Sequence, residues 1–340
     1  MSSHNIAIVI PCRNEEKYIE KCLYSILNQT YPSNKIKIYV VDGFSADKSR
    51  EKVAALMDSH SNIFLIDNVK KTTPYALNIG IKNATNAEFI MILGAHAELY
   101  SDYLQKAEVI FRQKADISCL GGILENISEN KTTEAISFAM SSFFGVGNAH
   151  FRTGIKDGFV DTVAFGLYKK EVFDKIGLFD EELIRNQDDE FNFRLTKNNL
   201  KIFLSSELRA KYYVRSGFLK LFRQYFQYGY WKVYVNRKHN SITSLRQLVP
   251  FAFVCFLVFF GILSIFSNFI FWIFISVLAF YFFTGLFISF KYYQNILGNL
   301  KVIWSFFLLH LGYGLGYLKG VLEFIVFRKK MRANDVQLTR

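Results

Sequence analysis

The sequence predicts an α/β domain built on a largely parallel sheet, followed by a helical region that enters a membrane. Three observations carry this. Short β-branched runs alternate with stretches of helical spacing from Ile6 to Leu93. Three of the loops that follow those runs hold polar residues able to do chemistry. And residues 248–290 and 302–327 are almost free of charge, although the first 245 residues carry charge throughout.

The elements follow in order. Ile6–Ile10, closed by Pro11, reads as a buried parallel strand. From Glu15 to Leu27 the apolar positions Ile19, Leu23, Ile26 and Leu27 recur at helical spacing. A strand over Ile36–Val41, a helix over Ala46–Met57, a strand over Ile63–Ile66, a helix over Pro74–Ala84 and a strand over Phe89–Leu93 complete the run. Such alternation implies a parallel sheet with right-handed crossovers, which binds ligands at the carboxyl ends of its strands. The loops expected there are Cys12-Arg13-Asn14-Glu15, Asp42-Gly43 and Gly94-Ala95-His96. Further on, a strand is expected at Ile117–Leu120, a flexible loop over a pocket at residues 143–154, a strand at Val163–Tyr168 and a helix near Lys170–Ile176.

Composition narrows the class. The 340 residues are 51% hydrophobic with 36 Phe and 19 Tyr, and the net charge is +12. The N-terminus lacks the basic start and apolar core of a signal peptide, so the first 245 residues are expected in the cytosol. Cys12, Cys22, Cys119 and Cys255 share no metal-binding spacing, which argues against a zinc site or a disulfide framework. The basic balance suits anionic membrane lipid. Nothing in the sequence supports a nucleic-acid partner.

Residues 218–245 interleave Lys220, Arg223, Lys232, Arg237 and Lys238 with aromatic side chains, as in a helix lying in the membrane interface, with an ordinary surface helix of the globular domain as the alternative. Two segments, about 248–266 and 269–290, are each long enough to cross a bilayer of roughly 30 Å. Arg237, Lys238 and Arg246 before them and Lys291 after them place both ends in the cytoplasm. A third segment, 302–327, either spans or bends back. The return is preferred, because the basic residues from Arg328 onward belong inside.

Three places can carry chemistry. Asp42 can accept hydrogen bonds from a nucleobase, or simply cap the following turn. Asp188, Asp189 and Glu190 form an acidic helix start; their mutual repulsion raises pKa values, which suits a general base. Glu190 and Arg194 stand at i,i+4 and can pair. Lys70 and Lys71 precede a helix and can neutralise a diphosphate, or remain solvated.

"VIPCRNEEKYIEKCLYSILNQTYP", "VVDGFSADKS" and "ALNIG", followed by Gln187-Asp188-Asp189-Glu190-Phe191-Asn192-Phe193-Arg194, resemble the family-2 inverting glycosyltransferases of GT-A fold over about residues 5–235. The resemblance is strongest to bacterial exopolysaccharide glucosyltransferases of the succinoglycan type. It implies a nucleotide-diphosphate-sugar transferase domain over 1–217, an interface helix over 218–245, a membrane domain over 246–330 and a tail over 331–340. Alignment on Arg194 makes Asp188 the catalytic base, with Gln187 in place of the family's Glu. Donor-binding residues implied are Pro11, Arg13, Asn14, Glu15, Asp42, Lys71, Asn78, Gly94 and Ala95. His96 is the implied ligand of Mg²⁺ or Mn²⁺, and Asp189, Arg194, Gln224, Gln227 and Trp231 are the acceptor or interface residues. Where most members carry Asp-x-Asp and these relatives Asp-Ala-His, this chain has Gly94-Ala95-His96. A working metal site, altered metal use and an inactive homologue all remain open readings of that triplet.

The activity implied is transfer from a UDP-sugar to a lipid-linked saccharide acceptor at the inner face of the cell membrane, in exopolysaccharide or envelope glycan synthesis. The alternatives are a processive synthase, of whose Gln-x-x-Arg-Trp motif residues 224–228 are a partial echo, and a catalytically impaired scaffold.

Overall fold

The computed structural model describes residues 4–154, 157–242, 245–293 and 295–329. The tail expected over 331–340 lies outside them. The chain divides into two compact units: one runs to Glu125 and resumes over His150–Tyr213, the other comprises Asn126–Ala149 and the residues from Val214. The division corrects the expected boundary at 217, because residues 126–149 pack with the C-terminal helices.

In the first unit the order is β1 (Ile6–Cys12), α1 (Ile19–Leu27), β2 (Ile36–Asp42), α2 (Ser49–Met57), β3 (Ile63–Asp67), α3 (Thr73–Asn83), β4 (Phe89–Ile92), β5 (Ala97–Leu99), α4 (Tyr103–Gln113) and β6 (Ile117–Ile127). The chain then enters the second unit with α5 (Lys131–Ser141) and α6 (Phe143–Val146). It returns with α7 (His150–Thr153), β7 (Gly158–Val160), β8 (Leu167–Lys169), α8 (Glu171–Ile176), α9 (Gln187–Lys197) and β9 (Lys201–Tyr213).

The sheet runs β3-β2-β1-β4-β8-β6-β9-β5, with β7 paired to β9. β1 pairs in parallel with β2 on one side and β4 on the other, so the chain reverses its progress across the sheet at β1. Ligands of parallel sheets sit outside the strand ends at such a switch point. Here it is framed by the residues after Cys12 and after Ile92. Ile8, Val9, Ile10, Val40, Val41, Ile90 and Met91 are all completely buried, as a sheet covered on both faces requires.

Two expectations are corrected here. The strand expected over Val163–Tyr168 is reduced to β8, because Phe165 adopts φ +51° and cannot extend. Most of residues 143–154 form helical turns rather than a flexible loop.

The second unit adds α10 (Phe218–His239), α11 (Val249–Leu263), α12 (Asn268–Ser289) and α13 (Ile296–Gly320), which passes into a π-helical segment over Val321–Val326. Three helices are long and apolar enough to cross a membrane: Leu245–Leu263, Asn268–Ser289 and Ile296–Val326. The third is α13 continued by the π-helical segment, and the glycines of α13 and α10 serve close packing. A methyl on Gly316 would fall on the Phe226 carbonyl oxygen, and one on Gly229 would fall on that of Tyr313.

Candidate active site

The loop after β1 is built tightly. Asn14 sits at φ +55°, its N–H donates to Ser45 Oγ (2.8 Å), and its Oδ1 accepts from Ala46 N (2.8 Å). Glu15 N–H donates to Ser49 Oγ (2.7 Å), and the Glu15 side chain is 5% exposed. These bonds fix the Glu15 carboxylate beside the loop after β4, where His96 Nδ1 lies 3.6 Å from Glu15 Oε1.

Asp42, at the end of β2, is 1% exposed. Its carboxylate accepts from Ser45 N (3.0 Å), Ser45 Oγ (2.5 Å) and Arg50 Nη1 (2.8 Å), and Arg50 also pairs with Asp67 at 2.8 Å. It therefore caps its own turn and anchors Arg50. Gly43 leaves room for its neighbours: a Cβ there would stand 3.2 Å from Arg13 Cδ and 3.4 Å from Lys71 Cα. Arg13 Nε is buried with no hydrogen-bond partner among the described residues. Phe44 and Lys71 both have φ above +50°, with Lys71 Nζ 5.7 Å from the Phe44 ring centre. Asn14, Phe44 and Lys71 thus place three left-handed non-glycine residues beside these strand ends, and such conformations concentrate at functional sites. Pro11 is half-buried and Ala95 is buried beneath the site.

The glycine of the 94–96 triplet is filled from elsewhere. A Cβ on Gly94 would stand 3.0 Å from Phe165 Cε1 and 3.4 Å from His96 Cε1. The Phe165 ring therefore occupies the space beside this position. Phe165 faces Tyr212 (centroids 6.3 Å apart), and Tyr212 meets His96 edge-on at 5.1 Å. The Arg152 guanidinium stands 5.4 Å from the Tyr212 ring centre. Below, the Cys22 thiol donates weakly to Gly94 O (3.7 Å), and burial pushes its pKa up to about 12, which makes it inert.

Asp188 opens α9. Its Oδ1 accepts from Asp189 N at 3.0 Å. The side chain is solvent-exposed, with protein packed closely around it. That crowding, and then the Asp189 charge, push its carboxyl above the ordinary range; Arg152 pulls the other way. Behind α9, Tyr168 Oη donates to Asn192 Oδ1 (3.1 Å), and Asn192 Nδ2 donates to Thr162 Oγ1 (2.9 Å) and Val163 O (3.2 Å). This network fixes the helix. Gln187 Oε1 is buried with no hydrogen-bond partner among the described residues.

Several expected site residues have other work. Asn78 is 3% exposed and clamps the 179–181 segment: Nδ2 donates to Phe179 O (2.8 Å) and Glu181 Oε1 (3.1 Å), while Oδ1 accepts from Phe179 N (3.0 Å). Its amide so occupied, Asn78 braces the 179–181 segment. Arg194 pairs with Glu190 at 2.8 Å, as the i,i+4 spacing predicts, and donates to Ile176 O (2.5 Å) and Leu178 O (2.8 Å). Every guanidinium nitrogen of Arg194 is thus engaged within the fold. Lys70 pairs with Glu181 at 2.9 Å. Gln224 and Trp231 lie in the second unit, each 4% exposed and packed within it. Trp231, expected among the acceptor or interface residues, is buried there, while Gln227 is half-buried. Asp189, half-buried, stands next to Asp188 at the start of α9.

Arg152, Tyr212 and Phe165 were not anticipated. Their one signal is Arg152, a cation within a Gly/Ser/Asn-rich stretch.

The Glycosyl transferase family 2 signature matches residues 7–177. The chain belongs to that family. It is 36% identical over 257 residues to a dolichyl N-acetyl-alpha-D-glucosaminyl phosphate 3-beta-D-2,3-diacetamido-2,3-dideoxy-beta-D-glucuronosyltransferase of Methanococcus voltae, covering 73% of this chain and 78% of that one. It is 28% identical to the succinoglycan biosynthesis protein ExoA of Rhizobium meliloti, covering 74% and 76%. A mannosyltransferase of Pyrobaculum calidifontis, solved with GDP-Man and Mn²⁺, shares the fold at TM-score 0.65 and 15% identity, covering 94% of this chain and 88% of that one. The glycosyltransferase is thus a GT-A enzyme by fold and by family, and its acidic helix start and its β1/β4 switch point lie in one unit.

Metal fit rests on a small donor set. Among the described residues no group of three or more His, Cys, Asp and Glu side chains converges. One imidazole and one carboxylate, His96 and Glu15, do. Hard divalent ions bound with substrate phosphates commonly take only one or two protein ligands, so the pair fits such an ion and fits no closed metal site.

Proposed function

We propose that this glycosyltransferase moves a sugar from a nucleoside-diphosphate donor, a UDP-sugar, to a lipid-linked saccharide, inverting the anomeric centre. The observation that carries the reading is Asp188: a water-reachable carboxylate with a raised pKa, in the same unit as the Glu15–His96 pair. The nucleoside lies along the loops of Asn14 and Gly43, with Arg13 and Lys71 facing the phosphates. Arg13 supports this, since its buried Nε has no other hydrogen bond among the described residues. Asp188 accepts the proton of the acceptor hydroxyl, which attacks the anomeric carbon from the face opposite the leaving diphosphate. A single displacement needs no covalent intermediate and no second nucleophile. A Mg²⁺ or Mn²⁺ ion held by His96 and Glu15 would supply charge neutralisation for that diphosphate. Arg152, stacked near Tyr212, adds a fixed positive charge between His96 and Asp188.

The acceptor follows from the apolar helices and from the lipid-phosphate substrate named for the Methanococcus relative. Nucleotide sugars are cytosolic, so the sheet unit belongs on the cytosolic side of the cell membrane. The role extends to exopolysaccharide or envelope glycan synthesis, as the succinoglycan relative's name suggests.

The test is transfer by full-length protein from UDP-sugars to a lipid-linked saccharide, with Mn²⁺, Mg²⁺ and EDTA in parallel. Single-sugar addition that needs the metal and is lost in His96→Ala supports the reading. A product ladder indicates a processive enzyme. The absence of turnover with every donor indicates a scaffold.

A further inference from the structure

The helix Ile296–Val326 has 31 residues, roughly 46 Å at 1.5 Å per residue, and is apolar enough to cross a membrane. We infer that it does not cross: α13 lies in the plane of the cytosolic leaflet, its open face in lipid and its covered face against α10 and α5. The inference concerns the second unit alone and is independent of donor and acceptor.

The first argument is what packs along α13. A methyl on Gly312 would stand 2.8 Å from the Phe222 carbonyl oxygen, and one on Gly320 would stand 2.8 Å from that of Tyr230; Gly316 faces the carbonyl of Phe226 in the same way. Tyr234 then meets Phe324 at 5.2 Å, and Arg237 Nη1 donates to Lys329 O at 3.2 Å. Both helices therefore advance together in steps of about four residues, a lengthwise parallel pair with small residues at the seam. But α10 bears exposed Lys220, Arg223, Arg237 and Lys238. If α13 stood across the bilayer, α10 would stand beside it, with Arg223 level with about residue 313, near the middle of the supposed span. Charges at that depth are costly and rare. The first half of α13 is covered in the same way: Ala135 and Ala139 of α5, a helix that also carries Lys131 and Glu134, pack on Val302 and Phe306.

The second argument is how α11 meets α13. Within α13, Gly314 touches Pro250 and Val254, His310 lies near Phe253 and Tyr317 near Phe251. Two turns of α13 thus meet little more than one turn of α11. The contact with α11 is thus a short crossing, while α12 runs beside residues 302–310, with Tyr281 at His310 and Gly285 at Ile303 and Phe306.

The third argument is the remaining face. Leu297, Leu300, Trp304, Leu322 and Ile325 are all exposed at helical spacing, and Leu311, Leu315 and Leu318 continue the stripe half-buried. α13 therefore presents an apolar stripe to lipid along its length, which a helix in the leaflet plane accommodates as a crossing one would. The reading also keeps Arg328 and Lys329 on the cytosolic side, as the distribution of basic residues requires.

Membrane-impermeant maleimide applied to intact cells tests this on the full-length protein. Phe266→Cys, at the turn between α11 and α12, is expected to label in intact cells. Lys329→Cys is expected to label only after permeabilisation, with the wild type setting the background of the native thiols. An epitope tag after the last residue, which leaves every side chain native, should likewise be shielded from external protease. Labelling of Lys329→Cys in intact cells as strong as that of Phe266→Cys, or cleavage of the tag, overturns the inference.

Discussion

Gly94 and Gly316 both face another part of the chain where a side chain would point, Phe165 Cε1 at 3.0 Å from the one Cβ and the Phe226 carbonyl oxygen at 1.9 Å from the other, yet the two regions use that crowding differently. At Gly316 the intruder is backbone, the Phe226 carbonyl, and the arrangement repeats at Gly312 and Gly320. At Gly94 the intruder is a single ring, Phe165, held in a left-handed backbone conformation and backed by Tyr212. The repeated pattern is packing, and its consequence is mechanical. The unrepeated one sits beside His96 and removes a negative charge from the site, so its consequence is chemical. If that division is right, changes in the crevice alter turnover and spare the fold, and changes in the helix pair do the reverse.

The largest effect is expected at Asp188. Asp188→Asn should lower transfer by about 10²–10⁴, the range of a general base, and leave UDP affinity in place by calorimetry. Its carboxyl is raised above the unfolded value, so the folded state holds a proton more readily than the unfolded one, and the charged form lowers stability as pH rises through that window. Removing the charge should therefore leave the Tm unchanged or higher. A variant with a lowered Tm and intact turnover would break the division at its strongest point.

On the other side stands Gly316→Leu. With no space between α13 and the Phe226 carbonyl, the helices must separate, at about 1–3 kcal/mol for overpacking. Thermal unfolding in detergent should show the loss, while folded protein keeps its UDP affinity. Unchanged unfolding would mean that the seam is not a stabilising contact.

Legibility differs between the same two regions. β1 to β4 and their strand-end loops can be read because each strand is a local β-branched run and each loop is a contiguous word: Arg13-Asn14-Glu15, Asp42-Gly43, Gly94-Ala95-His96. Asp188 is legible for the same reason. The wall of Phe165, Tyr212 and Arg152 is not, since its members come from three segments that meet only in the folded sheet. Residues 143–154 carry the glycines of a loop, yet α6 is helical because Ser142 caps it at Phe144 N (3.2 Å) and Phe144 packs edge-on against Phe306. In α13 the glycines signal close packing, but sequence does not state the partner. Without α10 in view, a long apolar helix looks like a span.

Arg152 tests whether that unread wall matters. Its charge favours the ionised form of Asp188, so Arg152→Ala should move the acid limb of the pH–rate profile to higher pH and slow transfer about tenfold, equivalent to about 1.4 kcal/mol of barrier. Arg152→Lys should restore part of the shift. A uniform loss of rate with an unmoved acid limb would mean that Arg152 shapes the site without acting on the base.

The smallest effect, and the sharpest test of the comparison, is Gly94→Asp. If the glycine were merely a lost ligand, restoring the carboxylate would tighten Mn²⁺ binding. The structure predicts otherwise: the new Cβ meets Phe165 Cε1 at 3.0 Å, so the ring must give way before the carboxylate can settle beside His96, and Mn²⁺ affinity and turnover should change little or fall. Phe165→Ala alone opens the space without adding charge. Only the double variant should bind Mn²⁺ more tightly than the wild type, and the excess over the two single changes measures the coupling between position 94 and the ring. Additive effects would mean that Phe165 and Gly94 are independent neighbours. Then the glycine of the crevice would be as mechanical as those of α13, and the contrast between the regions would rest on Asp188 alone.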